Sequence, residues 1–114
     1  EHTTGHMNRG SYYEDNDQLD KAIADYSNAI GANTSYYNAY FSRGNMYFRK
    51  KSFDAALADY TKAIELKSNS FDAWHNRSVA YGNMNDRSKA LEDELKAIQL
   101  GQKEDSVYMK WLRQ

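Results

Sequence analysis

Cysteine and proline are both missing from this chain of 114 residues. Without cysteine there is no disulfide, no thiolate metal ligand and no Cys nucleophile. The absence does not report the redox compartment. Without proline, helices can run uninterrupted. The six glycines do not cluster, so no phosphate-cradling loop is present. An excess of either charge is also missing: 15 Lys and Arg stand against 16 Asp and Glu, a formal net charge of −1. That balance argues against a nucleic-acid binder, whose footprint is a basic excess, and against a polybasic membrane-surface module. Mean hydropathy is −0.96. No apolar run approaches the ~20 residues of a membrane span, so no membrane insertion is expected. No secretory leader is visible, and the cytoplasm is the expected compartment. What the chain does have is aromatic side chains: 14% of residues, ten of them Tyr. Its length suits one domain, which at this size buries roughly two-thirds of the surface that its unfolded form exposes.

An internal repeat organises the chain. Sliding the sequence by 34 residues aligns six columns without a gap. They are Arg9, Arg43, Arg77; Tyr13, Tyr47, Tyr81; Ala22, Ala56, Ala90; Asp25, Asp59, Asp93; Ala29, Ala63, Ala97; and Ile30, Ile64, Ile98. Residues 3–36 and 37–70 agree at ten of 34 places, as do 37–70 and 71–104. Chance alone would give about two per comparison.

Each unit reads as two helices. Tyr40, Arg43, Gly44 and Tyr47 fall at i, i+3, i+4 and i+7, one helical stripe. After the break at Lys50-Lys51-Ser52, Phe53, Ala56, Leu57, Tyr60, Ala63 and Ile64 make a second stripe. Neither alternates with period two, so strands are not expected. The predicted helices are 4–15, 18–31, 37–49, 53–66, 71–83 and 87–100, with Ser52 and Asp86 placed as N-caps. Gly10 and Gly44 sit inside first helices, where an unexplained Gly costs ~1 kcal/mol against Ala. Close helix approach is the expected reason, with the alanine columns facing them and Tyr13, Tyr47 and Tyr81 filling the adjoining space. One unit cannot bury both of its helices; three stacked units make a continuous core.

On these residues the sequence resembles the tetratricopeptide repeat family over residues 3–104. The second unit matches the family pattern with Tyr40, Gly44, Tyr47, Ala56, Tyr60 and Ala63. The third matches with Trp74, Tyr81, Ala90 and Ala97, but holds Ser78 for the Gly and Glu94 for the aromatic. The first matches with Gly10, Tyr13, Ala22, Tyr26 and Ala29, but has His6 for the leading aromatic. The usual closing Pro is replaced by Thr34, Ser68 and Gln102. The resemblance implies an all-α fold: a right-handed superhelical solenoid of three helix-turn-helix units (3–36, 37–70 and 71–104) closed by a capping helix at 105–114. In that segment Tyr108, Trp111 and Leu112 form an apolar stripe and Lys110, Arg113 and Gln114 a wet face; the alternative is a truncated fourth repeat. Gly5-His6-Met7 resembles a cloning scar, in which case residues 1–6 carry no function; native sequence is the alternative. Glu1 is not an initiator Met, so a fragment or a processed chain is expected.

Candidates for chemistry are few. His2 and His6 are four apart, as helical metal ligands can be, but no third ligand is near in sequence. Asp15, Asp17 and Asp20 lack the Gly and Glu that would close a calcium loop. His75 stands alone, and the Ser and Thr residues have no partnered His. No enzyme, metal or cofactor is expected. The repeated Arg and Asp columns are most simply structural ion pairs between helices, with the Arg stem buried and its head on the carboxylate. The alternative is a basic ladder for an acidic peptide.

The family resemblance implies a protein-interaction scaffold whose first helices line a concave groove holding an extended peptide or a partner helix. Helical periodicity turns Ser11, Asn38, Phe41, Ser42, Asn45, Phe48, Asp72, His75, Asn76 and Val79 away from the packed stripe, with Lys110 an addition from the cap. Phe41 and Phe48 could instead pack between repeats. A chaperone-tail clamp, the family's grip on acidic C-termini, finds Met7, Ser11, Ser42, Asp72 and Asn76 in its first frame, without one cation. Its second frame holds Phe41, Asn45, Asn76, Ser106 and Lys110, without the first Lys. A partner protein or peptide is therefore expected, the chain being a monomer or weakly self-associating. A co-chaperone-type adaptor for acidic tails and a self-assembling spacer remain the alternatives.

Overall fold

The computed structural model describes residues 2–114, and side chains from Thr3 onward. Among these residues seven helices follow in order: α1 (His2–Asp15), α2 (Leu19–Ala32), α3 (Tyr37–Arg49), α4 (Phe53–Leu66), α5 (Phe71–Asn83), α6 (Arg87–Gln99) and α7 (Ser106–Leu112). No strand occurs among the described residues. Three helix pairs, α1 with α2, α3 with α4 and α5 with α6, stack through α2 on α3 and α4 on α5, and α7 closes on α6. The result is an elongated array of 45 × 25 × 21 Å.

Why each first helix stops is written in its backbone. Asp17, Lys51 and Asn85, spaced by 34 residues, have φ of 60°, 63° and 63°. The next amide in each turn donates back over the helix end: Gln18 to Tyr13, Ser52 to Tyr47 and Asp86 to Tyr81, at 2.8, 2.9 and 3.0 Å. The left-handed residue itself donates three back, to Glu14, Phe48 and Gly82. This is the Schellman arrangement, which satisfies the carbonyls that a helix end otherwise leaves bare. The Tyr13, Tyr47 and Tyr81 column thus marks the last fully bonded turn of each first helix.

Two sequence expectations need correction here. Ser52 stands at the N-cap of α4, yet its hydroxyl makes no cap bond. Asp86 has nearly the same backbone and does accept, from the Lys89 amide. Helix α1 also begins two residues earlier than expected, at His2, and within it His6 Nδ1 lies 3.2 Å from Asp25 Oδ1. Of the His2 and His6 pair, the His2 side chain lies outside the described residues.

The alanine columns sit where the helices touch: Ala22, Ala56, Ala90, Ala29, Ala63 and Ala97 are all fully buried. The glycine positions are explained by contact. A Cβ at Gly10 would lie 2.6 Å from the Tyr26 ring, and one at Gly44 2.8 Å from the Tyr60 ring. So the side chains over the glycines are Tyr26 and Tyr60, which are buried, while Tyr13, Tyr47 and Tyr81 are half-buried flanking contacts. In the cap, Met109 and Leu112 are buried against Ala90, with Tyr81, Tyr108 and Trp111 around them.

Candidate functional site

The repeated charges come together as fork-shaped pairs. Arg43 donates to Asp59 from Nε and Nη2, both at 2.8 Å, and Arg77 to Asp93 at 2.7 and 2.8 Å. Arg9 does the same to Asp25, at 2.9 and 2.8 Å. The three carboxylates are buried. Arg43 and Arg77 also reach outside their own repeats. Their remaining Nη1 atoms donate to Ser27 and Thr61 of the preceding repeat, at 3.1 and 3.2 Å. Each therefore ties three helices from two repeats, using the planar guanidinium geometry that Lys lacks. Their hydrogen bonds to Asp59 and Asp93 raise both guanidiniums above their ordinary pKa. The Arg9 bond holds the Asp25 carboxyl below the usual carboxylate range. Arg43 and Arg77 are half-buried in helix interfaces, whereas Arg9 is exposed, against the expectation of a buried stem, and none of the three lines the groove described next.

That groove opens between α1, α3 and α5, with a cavity of about 420 Å³ lined by Glu14, Asn45, Met46, Phe48, Arg49, Tyr60, His75, Asn76 and Val79. A volume of this order suits a small ligand or a few side chains of a peptide. Asn45 and Asn76, on successive first helices, are joined: Asn76 Nδ2 donates to Asn45 Oδ1 at 2.9 Å. The same oxygen accepts the Tyr60 hydroxyl at 2.5 Å. With Oδ1 occupied, Asn45 offers its amide hydrogens and Asn76 its carbonyl, a donor and an acceptor on neighbouring helices. Burial pushes the Tyr60 hydroxyl well above its ordinary pKa, so it stays a donor. Glu14 accepts the Tyr26 hydroxyl at 2.7 Å, and Arg49 donates to Asp17 at 2.6 Å.

The other groove candidates divide. His75 lines the cavity, and its Nδ1 lies 2.7 Å from Oε1 of the fully buried Glu94. Phe48 lines it too, while packing edge-on to Phe53 at 5.3 Å between centroids. Phe41 instead packs away from the cavity, stacked on Tyr37 at 5.7 Å and beside Tyr60 at 6.1 Å, in clusters that include Ala73 and Ala80 of the next repeat. Asn38, Asp72 and Lys110 lie outside the cavity, as does the half-buried Ser42. Periodicity missed Glu14, Met46, Arg49 and Tyr60. Tyr60 could have been found, because the tyrosines over the glycines must put their hydroxyls somewhere along the first helices.

These repeats match known family models. A tetratricopeptide repeat model matches residues 4–36 and 71–105, and a second repeat model of the family matches 44–85. The chain belongs to the tetratricopeptide repeat family, whose members are generally non-enzymatic interaction modules. A comparison with curated protein sequences returned no match. Among solved structures, the chain superposes on the first such domain of Spaghetti (RPAP3), bound to the HSP90 peptide SRMEEVD, with a TM-score of 0.92 at 20% identity, covering 97% of this chain and 90% of that one. The Arabidopsis OM64 domain gives 0.92 at 24%, covering 97% and 93%. MamA gives 0.84 at 24%, covering 87% of this chain and 58% of that one. At these identities the likeness speaks for the fold. No helix among the described residues is long and apolar enough to cross a membrane.

Proposed function

We propose that this chain is a non-enzymatic scaffold holding an extended segment of a partner protein in the groove of α1, α3 and α5. The observation that carries the reading is the joined Asn45 and Asn76, which present a backbone-like donor and acceptor beside the apolar walls of Phe48 and Val79. An extended segment can pair its own amides with them, each bond worth ~1 kcal/mol net and more where water is excluded. An acidic C-terminal tail is the less supported occupant. In the frame that supplies Asn45 and Asn76, Phe41 is packed away, and Ser106 and Lys110 lie outside the cavity. End-to-end stacking is also less supported. A further repeat would need a hydroxyl in the Ser27 and Thr61 column to receive the next arginine, and that column continues with Leu95.

The test is selection of binders from a displayed random dodecamer library, followed by Asn76→Ala. This variant leaves the Tyr60 hydroxyl bonded to Asn45, so the melting temperature should stay nearly unchanged while selected peptides weaken about fivefold or more. Peptides that bind parent and variant equally would place the contact on another face.

A further inference from the structure

The groove carries a charge pattern that its backbone-pairing role does not require. Of the described lining residues, Arg49 alone bears a fixed positive charge, and it is tied to Asp17 at 2.6 Å. His75 on the opposite wall is already joined to Glu94. The carboxylate side is different. Glu14 is held in place by the Tyr26 hydroxyl on Oε1, and its Oε2 has no hydrogen-bond partner among the described residues. Tyr26 is itself buried and fixed over Gly10, so the carboxylate is oriented rather than loosely solvated. Asp72, on α5, has no ion-pair partner among the described residues.

We infer that the groove takes a segment bearing a basic side chain, with Glu14 as its counter-ion, and discriminates against acidic tails. The inference rests on the groove being the binding face. A lysine or arginine lying across the half-buried Phe48 would cover its apolar surface with its stem and bring its head to Glu14 Oε2. A glutamate there would meet Glu14 and would have to draw Arg49 away from Asp17. Asn45 and Asn76 carry no net charge and so leave the choice to Glu14. Pre-orientation of the carboxylate by Tyr26 lowers the ordering cost that weakens most exposed ion pairs.

The experiment selects dodecamers on the full chain and, separately, on Glu14→Gln; glutamine can still accept the Tyr26 hydroxyl. Asp15→Asn, the same change of charge at a residue outside the cavity, is the control. The parent should enrich sequences with Lys or Arg at one fixed position. Changing that residue to Gln in a synthetic peptide should weaken binding about tenfold at low salt. Glu14→Gln should cost the same, and both changes together should cost no more than either alone. Asp15→Asn should change the affinity less than about twofold. Enrichment of acidic sequences, or a basic residue whose contribution survives Glu14→Gln, would overturn the inference while leaving the groove intact. Peptides indifferent to both Glu14→Gln and Asn76→Ala, or no enrichment at all, would remove the groove reading and this inference with it.

Discussion

In the second repeat the Tyr60 ring lies over Gly44; in the third, the same two places hold Ser78 and Glu94. Both pairs fill the space between a first and a second helix, but they differ in what they need from outside. Gly44 and Tyr60 are nearly self-sufficient, with the Tyr60 hydroxyl finding Asn45 within its own repeat. Ser78 and Glu94 are not. The Ser78 hydroxyl bonds the Ala90 carbonyl at 2.7 Å and the Tyr108 hydroxyl of the cap at 2.6 Å. Glu94 is fully buried with one oxygen on His75, and its Oε2 is the buried side-chain oxygen left without a partner among the described residues. Burying such a group unpaired costs about 1–3 kcal/mol, more if charged. At this site the third repeat is therefore completed by α7, whereas the second completes the same site with its own helices.

The largest expected effect separates the two directly. Deleting residues 105–114 removes the buried Met109 and Leu112 and the Tyr108 partner of Ser78. Two buried apolar side chains are worth about 1.5–3 kcal/mol each, so a loss of about 4 kcal/mol or more is expected, seen as a lower melting temperature or aggregation. A deletion variant as stable as the parent would show that the third repeat stands alone.

Adding or trimming one group should have different consequences in the two repeats. Gly44→Ala puts a Cβ 2.8 and 3.0 Å from the Tyr60 ring and 3.2 Å from the Asp59 Cβ. Overpacking by about 2 kcal/mol should exceed the ~1 kcal/mol gained in helix propensity. Ser78→Ala keeps its Cβ without a clash and should lose only the hydroxyl bonds, about 1 kcal/mol. Urea unfolding of the two variants would rank them, and a stabilising Gly44→Ala would refute the close contact as the reason for the glycine.

Alkaline titration sharpens the contrast, because the second repeat buries a phenol where the third buries a carboxylate. Burial raises the Tyr60 pKa above its ordinary 10.0. The folded state then holds a proton that the unfolded state has lost, so stability is full below about pH 10 and falls as pH rises beyond it, by up to about 1.4 kcal/mol per unit. Tyr60→Phe should flatten that slope without a cavity. Tyr26, Tyr37 and Tyr108 add to the slope by the same cause, so the flattening should be partial.

The smallest effect concerns the turns. Lys51 occupies a left-handed position where the other repeats place Asp17 and Asn85. Asn tolerates that region better than Lys, because its short polar side chain can hydrogen-bond the local backbone. Lys51→Asn should raise stability by about 0.5 kcal/mol, and a loss would mean that the lysine makes a contact outweighing its backbone cost.

Much of the fold is legible in the chain. The 34-residue spacing locates six helices to within two or three residues, because the breaks recur where the backbone turns left-handed. The Arg and Asp columns announce charge in an interface, since three identical charges at one register need a common partner. Phe41 escapes its expected place for a physical reason: a helix inside a stack is covered on both sides, so the side turned from one stripe need not face water. Glu94 is visible in the sequence only as a departure from the pattern. The fuller signal is that Ser78 departs with it, since losing the ring is what lets a Cβ in. The cavity's acidic wall is not legible at all, because Glu14 belongs to no repeated column.

The joint construction of the third repeat is tested most directly by amide hydrogen exchange on Tyr108→Phe, which removes one oxygen and no packing volume. Exchange should quicken by about fivefold in α5, α6 and α7, with α1 to α4 unchanged. Exchange unaltered everywhere, or accelerated equally in α3 and α4, would contradict a third repeat that depends on its cap.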